Sequence, residues 1–225
     1  MMIRAEHKRW AGRLFYPYLN RIFRKDYSHF FVTNGMPEIP DDSGLLITPN
    51  HISWWDGFFI DYLMRHTSRR RIHLMMLKNQ LARVAFFRFL GAYSIDPGHR
   101  KSVFETLEYT AEILGRGDSF AVVYPQGEIV PQRSAPLEFR EGLLLSLRKV
   151  RTPVCCMPVS FLVKPFNERH PEIWCRFGPA VQSAEVLNSF GDYEELCNNE
   201  VLELERAILH RTYERDLFER RRGRK

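Results

Sequence analysis

Residues 44–56 read Gly44-Leu45-Leu46-Ile47-Thr48-Pro49-Asn50-His51-Ile52-Ser53-Trp54-Trp55-Asp56: a short apolar run, a proline that ends it, then a histidine and a carboxylate five positions apart. A run this short, uncharged and closed by Pro49 is expected to be a buried strand. From Asp56 onward Phe58, Phe59, Tyr62 and Leu63 recur at helical spacing. His51 is therefore expected just past the carboxyl end of a strand, with Asp56 near the start of the next helix, where open α/β sheets form their ligand crevices. A neutral imidazole takes a proton from an alcohol near neutral pH, and a carboxylate on its other ring nitrogen fixes the tautomer and stabilises the imidazolium. That is the logic of a Ser-His-Asp triad whose hydroxyl is brought by the substrate. With 8 His and 9 Asp in 225 residues, about 0.3 His-x4-Asp matches arise by chance, so the surroundings must carry the reading. The competing reading is a buried histidine capped by an aspartate, with Trp54 and Trp55 as core.

Working outward, the chain alternates strand-like and helix-like stretches. Phe30-Phe31-Val32 is expected to be a short strand, Arg69-Arg70-Arg71 a basic turn, and Ile72 to Met76 a strand. Leu81 to Leu90 has the pattern of an apolar helix ending at Gly91, Ala92 to Ile95 that of a strand, and Arg100 to Leu114 that of a helix. Phe120 to Tyr124 is the clearest strand and runs into Pro125-Gln126-Gly127-Glu128. A glycine there permits a left-handed turn or a close backbone approach to a ligand, though strand-Pro-x-Gly is also an ordinary turn. A helix from Glu141 to Val150 follows. Val154 to Phe161 is then a strand containing Pro158, which calls for an edge or a bulge, and Ile173 to Phe177 closes the sheet region. The pattern predicts one α/β domain with a mixed, mostly parallel central sheet flanked by helices. Residues 1–29 form an amphipathic helical segment, 30–188 the α/β core, and 189–225 a charged helix with the basic tail Arg220 to Lys225.

The hydrophobic content of 44% is ample for a core. A net charge of +6 points to an anionic partner: nucleic acid, an acidic carrier protein, a nucleotide thioester or a phospholipid surface. Cys155, Cys156, Cys175 and Cys197 form no CxxC pair and sit in apolar runs, so reduced core thiols in a cytoplasmic compartment are expected. The histidines show no metal spacing, and no metal is expected. No apolar run is long enough to span a membrane. At the N-terminus, Trp10, Leu14, Phe15, Tyr18, Leu19, Ile22 and Phe23 form an apolar stripe among Arg9, Arg13, Arg21, Arg24 and Lys25, interrupted by Pro17. Such a stripe suits either an interfacial helix on anionic lipid or a helix packed on the domain itself.

The order of these pieces resembles the PlsC-type glycerolipid acyltransferase family. Asn50-His51 to Asp56 is similar to its Asn-His-x4-Asp block, and Gly91-Ala92-Tyr93-Ser94-Ile95-Asp96 to its glycine-strand-Ile-Asp-Arg block. Tyr124-Pro125-Gln126-Gly127-Glu128 resembles its Phe-Pro-Glu-Gly-Thr block, followed by Phe139-Arg140-Glu141-Gly142 for Phe-Lys-x-Gly, and Val154 to Val159 resembles its Pro-containing strand. The resemblance covers residues 44 to 160 in the right order. It implies an O-acyltransferase in which His51 is the general base and Asp56 its orienting partner. The donor would be acyl-CoA or acyl carrier protein and the acceptor a lysophospholipid or other lipid alcohol, with no cofactor beyond the acyl co-substrate. Asn50, Pro125, Gln126, Gly127, Glu128, Arg100, Arg133 and Arg140 are the expected substrate-binding residues, and Trp54, Trp55 and Phe58 the acyl groove. Backbone N–H groups near Gly127 or at the start of the helix after Asp56 are the candidate oxyanion donors. The expected location is the inner membrane face, cytoplasmic and peripheral.

This sequence departs from the family pattern at three places. Pro97 stands where the family has a phosphate-contacting arginine, and Gln126 and Glu128 replace Glu and Thr. Arg100, Lys101, Arg133 and Arg140 are alternatives for the phosphate. An acceptor without a phosphomonoester, such as a glycolipid or isoprenoid glycoside, is the alternative reading. Thioester hydrolysis and a catalytically silent lipid binder also remain open. A nucleic-acid module finds no zinc-finger or RNP-type motif in the chain, so no nucleic-acid partner is expected.

Overall fold

The computed structural model describes residues 2–130, 136–166 and 169–219. Five parallel strands make up the larger part of its sheet: β2 (Gly44–Pro49), β3 (Arg71–Leu77), β4 (Ala92–Ile95), β5 (Ser119–Val122) and β6 (Val154–Lys164). Beyond β6 lie β7 (Glu172–Phe177), β1 (Phe30–Val32) and β9 (Arg215–Asp216), giving the order β4-β3-β5-β2-β6-β7-β1-β9. β8 (Val181–Gln182) pairs with β6 off this path. The mixed, mostly parallel sheet expected from the sequence is present.

β2 lies at the centre, with all six residues buried and Leu46 level with Ala121 of β5 and Cys156 of β6. Its side chains alternate between two cores, as the pleat requires. Leu45 and Ile47 face Phe59, Ile60 and Leu63 of α2 (Asp56–Thr67) and Phe23 of α1 (Arg9–Asp26). Leu46 faces the other side, with Ile113 and Leu114 of α4 (Arg100–Leu114), Leu147 of α5 (Gly142–Leu147) and Tyr193 of α7 (Phe190–Leu209). Gly44 starts the strand so close to α4 that a β-carbon there would lie 2.0 Å from the Leu114 carbonyl oxygen. All four cysteines are buried and free. Among the described residues no helix is long and apolar enough to cross a membrane.

Several expectations are corrected. The single helix over Leu81–Leu90 is two pieces, α3 (Lys78–Arg83) and a 3-10 segment (Ala85–Leu90), broken at Val84 (φ −124°, ψ 49°). Three residues per turn eclipse Phe86 and Phe89, and both rings pack against Trp10, at 5.9 and 5.5 Å. Helix α1 runs through Pro17 instead of stopping there. The proline sits on the exposed side, where water can take the carbonyl left without a donor. Pro158 lies in an interior strand, not at an edge. Its carbonyl accepts from Gly178, between the stretch of β6 paired with β8 and the stretch paired with β7. The missing N–H therefore faces a break in the neighbouring strand. Ile173–Phe177 does not close the sheet, because β1 and β9 continue it. The end of the chain returns after α6 (Ser183–Asn188) and α7 to form β9, held by buried Asp216, which accepts from His29 Nδ1 (2.6 Å) and the Phe30 and Phe218 amides. The basic run Arg220 to Lys225 lies outside the described residues.

Residues 2–8 run along β4 and cover that edge of the sheet: Ile3 and Ser94 exchange bonds, Ile3 N–H to Ser94 Oγ (2.7 Å) and Ser94 N–H to the Ile3 carbonyl (2.9 Å). Under this strap the ring of His7 meets buried His73 of β3 edge-on, with centroids 4.7 Å apart. Burial, then the neighbouring His7, pull His73 down to about 3, with Arg116 and Arg71 adding and Asp118 opposing. Burial and Arg71 also lower His7. Both rings are thus neutral in the folded state and take up protons on unfolding. The stability His73 contributes is complete above its ordinary value of 6.5 and is lost as pH falls through the window toward 3, and His7 acts in the same direction. Urea unfolding is expected to show a contribution from His73 that falls by about 1.4 kcal/mol per pH unit in that window. His73→Phe should make the slope shallower, and an unchanged slope would contradict this account.

Candidate active site

β2 and β5 are parallel neighbours, so the turns leaving their carboxyl ends lie side by side. The first carries His51 and the second Tyr124 to Glu128. Asp56, at the first position of α2, has no solvent exposure. Its Oδ2 accepts from the backbone N–H of Ile52 (2.6 Å) and Ser53 (2.8 Å) and from His51 Nδ1 (2.9 Å); its Oδ1 accepts from Ser53 Oγ (2.8 Å). Three of these are obligate or committed donors, which fits an ionised, acceptor-only carboxylate. The proton between His51 and Asp56 is then on Nδ1, and Nε2 carries the lone pair.

The His51 ring lies flat on Tyr124, with centroids 4.1 Å apart and planes at 22°. The Tyr124 hydroxyl is buried, and burial, helped by the Asp56 charge, pushes it well above its ordinary value, so it stays neutral. Four further bonds fix the turn. The His51 N–H donates to Gln126 Oε1 (2.7 Å), the Val130 N–H donates to the His51 carbonyl (2.9 Å), and Asn50 exchanges two bonds with the Phe161 backbone of β6, at 2.9 and 2.7 Å.

Beside His51 opens a cavity of about 340 Å³ whose walls are mainly apolar, among them Phe58, Leu74, Phe87 and Ile129. It runs between α2, β3 and the 3-10 segment. Of the three residues expected in an acyl groove, Trp54 and Phe58 line it. Trp55 does not; it packs on Phe58 (5.6 Å) and Phe23 (6.4 Å). Asn50, expected to bind substrate, has both ends of its amide taken by Phe161, so it positions the turn that carries His51. Gln126 is likewise a buried brace on His51, and Pro125 accepts from the Arg140 amide.

Gly127 has φ of 73°, the left-handed turn that glycine permits, and a β-carbon there would press on the Arg140 side chain at 2.9 Å. Arg140 Nη2 donates to Glu128 Oε1 (2.8 Å), so the two expected binding residues hold each other. Arg100 is exposed at the start of α4, and Arg133 lies outside the described residues.

Of the candidate oxyanion donors, the Gly127 N–H is given to the Tyr124 carbonyl, and at the start of α2 the Asp56 and Phe58 N–H groups are given to the Ser53 and Trp55 carbonyls. Gly57, in the first turn of α2, lines the cavity and has no acceptor for its N–H among the described residues. Among those residues no metal-ligating group of three or more side chains converges.

Sequence reasoning missed three residues. Tyr124 stands in the sequence reading as a strand end and the first residue of the Phe-Pro-Glu-Gly-Thr-like block, with no site role. Lys78 reaches Asp96 Oδ2 at 3.3 Å, placing a cation beside the turn where Pro97 replaces arginine; its signal was its place directly after a strand at the crevice end of the sheet. Asp61, five residues past Asp56 on α2, is also buried and lines the cavity. Burial pushes Asp61 up to about 6, with its partner Arg65 (Nε to Oδ2, 3.1 Å) opposing.

The molecule is thus an α/β protein with a crevice at the carboxyl ends of its parallel strands, where a histidine bonded to a buried carboxylate stands beside an apolar cavity. The family model described as Acyltransferase matches residues 30–161, more than half of the chain, and the protein belongs to this acyltransferase family. Its fold is also that of a solved structure, "Crystal Structure of the 1-acyl-sn-glycerophosphate (LPA) acyltransferase, PlsC, from Thermotoga maritima", with a TM-score of 0.59 and 17% identity over 88% of this chain and 79% of that one. No curated protein sequence matches this chain significantly. The family and fold expected from the sequence blocks are thereby shown.

Asp56→Asn would turn an amide toward donors that need an acceptor. It is expected to lower stability by about 2 to 4 kcal/mol in urea unfolding, whereas His51→Ala, whose ring is part exposed, should cost about 1 kcal/mol or less. Equal stability of wild type and Asp56→Asn would contradict the ionised, four-donor geometry.

Proposed function

We propose that this acyltransferase moves a fatty acyl group from a thioester of coenzyme A or acyl carrier protein to the hydroxyl of a lysophospholipid or related glycerolipid. His51 acts as general base and Asp56 orients it. The observation that carries this reading is the 2.9 Å contact between His51 Nδ1 and the buried, donor-surrounded Asp56 carboxylate, which on this reading puts the proton on Nδ1 and leaves a basic Nε2 beside the apolar cavity. The acceptor proton moves to Nε2 as the alcohol oxygen bonds to the thioester carbonyl carbon. The tetrahedral oxyanion then collapses, the C–S bond breaks, and the leaving thiolate takes the proton from His51. No acyl-enzyme and no cofactor enters this sequence. The Gly57 N–H is the donor best placed for the oxyanion, and one such donor is worth about 3 to 4 kcal/mol.

The acceptor headgroup would meet Lys78, Arg100 and Arg140 at the carboxyl edge of the sheet. The Thermotoga protein is named for a phosphate-bearing acceptor, which makes a lysophosphatidic acid the first candidate. A neutral acceptor such as a glycolipid is the second reading, favoured by Pro97 and by Glu128, which already occupies Arg140. Membrane contact would come through α1, where Trp10, Leu14 and Tyr18 stand exposed at i, i+4, i+8 among basic residues. On this reading the exposed face of α1, within the 1–29 segment, meets the lipid, residues 30–188 carry the chemistry and α7, within 189–225, packs against them, at the inner membrane face.

The test is thiol release from palmitoyl-CoA and from palmitoyl carrier protein, each with a panel of lysophospholipids and neutral lipid alcohols. Acceptor-dependent release is expected, reduced by about 10² to 10⁴ in His51→Ala. Release without acceptor, or an unimpaired His51→Ala, would overturn the assignment.

A further inference from the structure

Among the described residues, the cavity wall carries one buried carboxyl, and the proposed chemistry does not use it. Asp61 is 9% exposed and lies on the wall one helical turn beyond Gly57, about 7 Å along the α2 axis from Asp56. The cavity runs from Leu77 to Ile72 along β3, a length of about 16 Å, and Asp61 belongs to its inner part. Phe15 and Ile72 line the same cavity.

Arg65 satisfies only one oxygen of this carboxyl, Oδ2. Among the described residues no other donor reaches the carboxyl. The Arg65 guanidinium is held flat over Tyr16, 3.8 Å from the ring centroid, and its Nη2 is buried without a partner. The pair is therefore incompletely satisfied, and its open side is the cavity.

A plain hydrocarbon chain laid over this wall would strip Asp61 of its remaining solvation and return no hydrogen bond, a loss characteristic of buried polar groups. A carboxylate on the chain would meet a like charge. A hydroxyl answers the site, because it can donate to the free carboxyl oxygen while the methylenes on either side keep their apolar contacts. We infer that the inner cavity is a subsite for an acyl chain bearing a hydroxyl several carbons from the thioester, with Asp61 accepting its hydrogen bond and Arg65 positioning Asp61. The inference rests on reading the cavity as the acyl site.

Two measurements test it. In the first, free fatty acids of equal length, with and without a mid-chain hydroxyl, are titrated against the intact protein with Trp54 fluorescence as the readout. The hydroxylated acid is expected to bind about tenfold tighter. The preference should vanish or reverse in Asp61→Leu and in the charge-free double variant Asp61→Leu/Arg65→Met, which guards against misfolding from a lone buried arginine. Equal affinities in the wild type, or a preference that persists in both variants, would overturn the inference. In the second, the corresponding acyl-CoA pair is compared in transfer. Equal kcat/KM for both donors would reject the hydroxyl subsite while leaving the acyltransferase reading intact. Hydroxyl-dependent binding without consumption of any thioester would keep the subsite and reject that reading.

Discussion

The site depends on how the negative charge of Asp56 is kept in the interior. An ionised carboxylate with no solvent contact is costly unless donors surround it. Here they all come from the five residues before it: the amides of Ile52 and Ser53, the Ser53 hydroxyl and the His51 ring. The same bonds that stabilise the charge fold the turn, and the turn aims His51. Orientation, tautomer and local backbone geometry are therefore a single constraint. Asn50 and Gln126 extend it outward by tying the turn to β6 and to the turn after β5.

The sheet order brings these pieces together. The chain leaves β2, forms β3 and β4 on one side, and returns to insert β5 between β3 and β2. That insertion places Tyr124 against His51 although 73 positions separate them in the sequence. It also opens the space in which the apolar cavity lies, because α2 packs over β3 with Gly57 facing Leu74. The same fold occurs in the PlsC structure at 17% identity.

Much of this was legible in the sequence where local physics is decisive. β2 could be read from an apolar run ended by Pro49, α4 from its helical spacing, and the left-handed turn at Gly127 from a glycine after a buried strand. The adjacency of His51 and Asp56 was legible because five positions across a helix start bring them together. Features set by distant partners were not legible. The break at Val84 reflects packing of Phe86 and Phe89 on Trp10, and β9 exists because Asp216 finds His29 and Phe30 far away in sequence. Asn50 and Trp55 were read as substrate residues because they flank His51; their tertiary partners turn them to structural work. Asp61 and Lys78 escaped notice because single charges on apolar elements give no local signal, and only the cavity wall reveals them.

The central claim is that His51 carries its proton on Nδ1 and presents a free Nε2 to the cavity. Nitrogen-15 NMR of the selectively labelled imidazole near neutral pH tests it directly. The account predicts a protonated Nδ1, a bare Nε2 and a downfield Nδ1 proton that is lost in Asp56→Asn. An Nε2–H tautomer, or a His51 spectrum unaffected by that substitution, would contradict it.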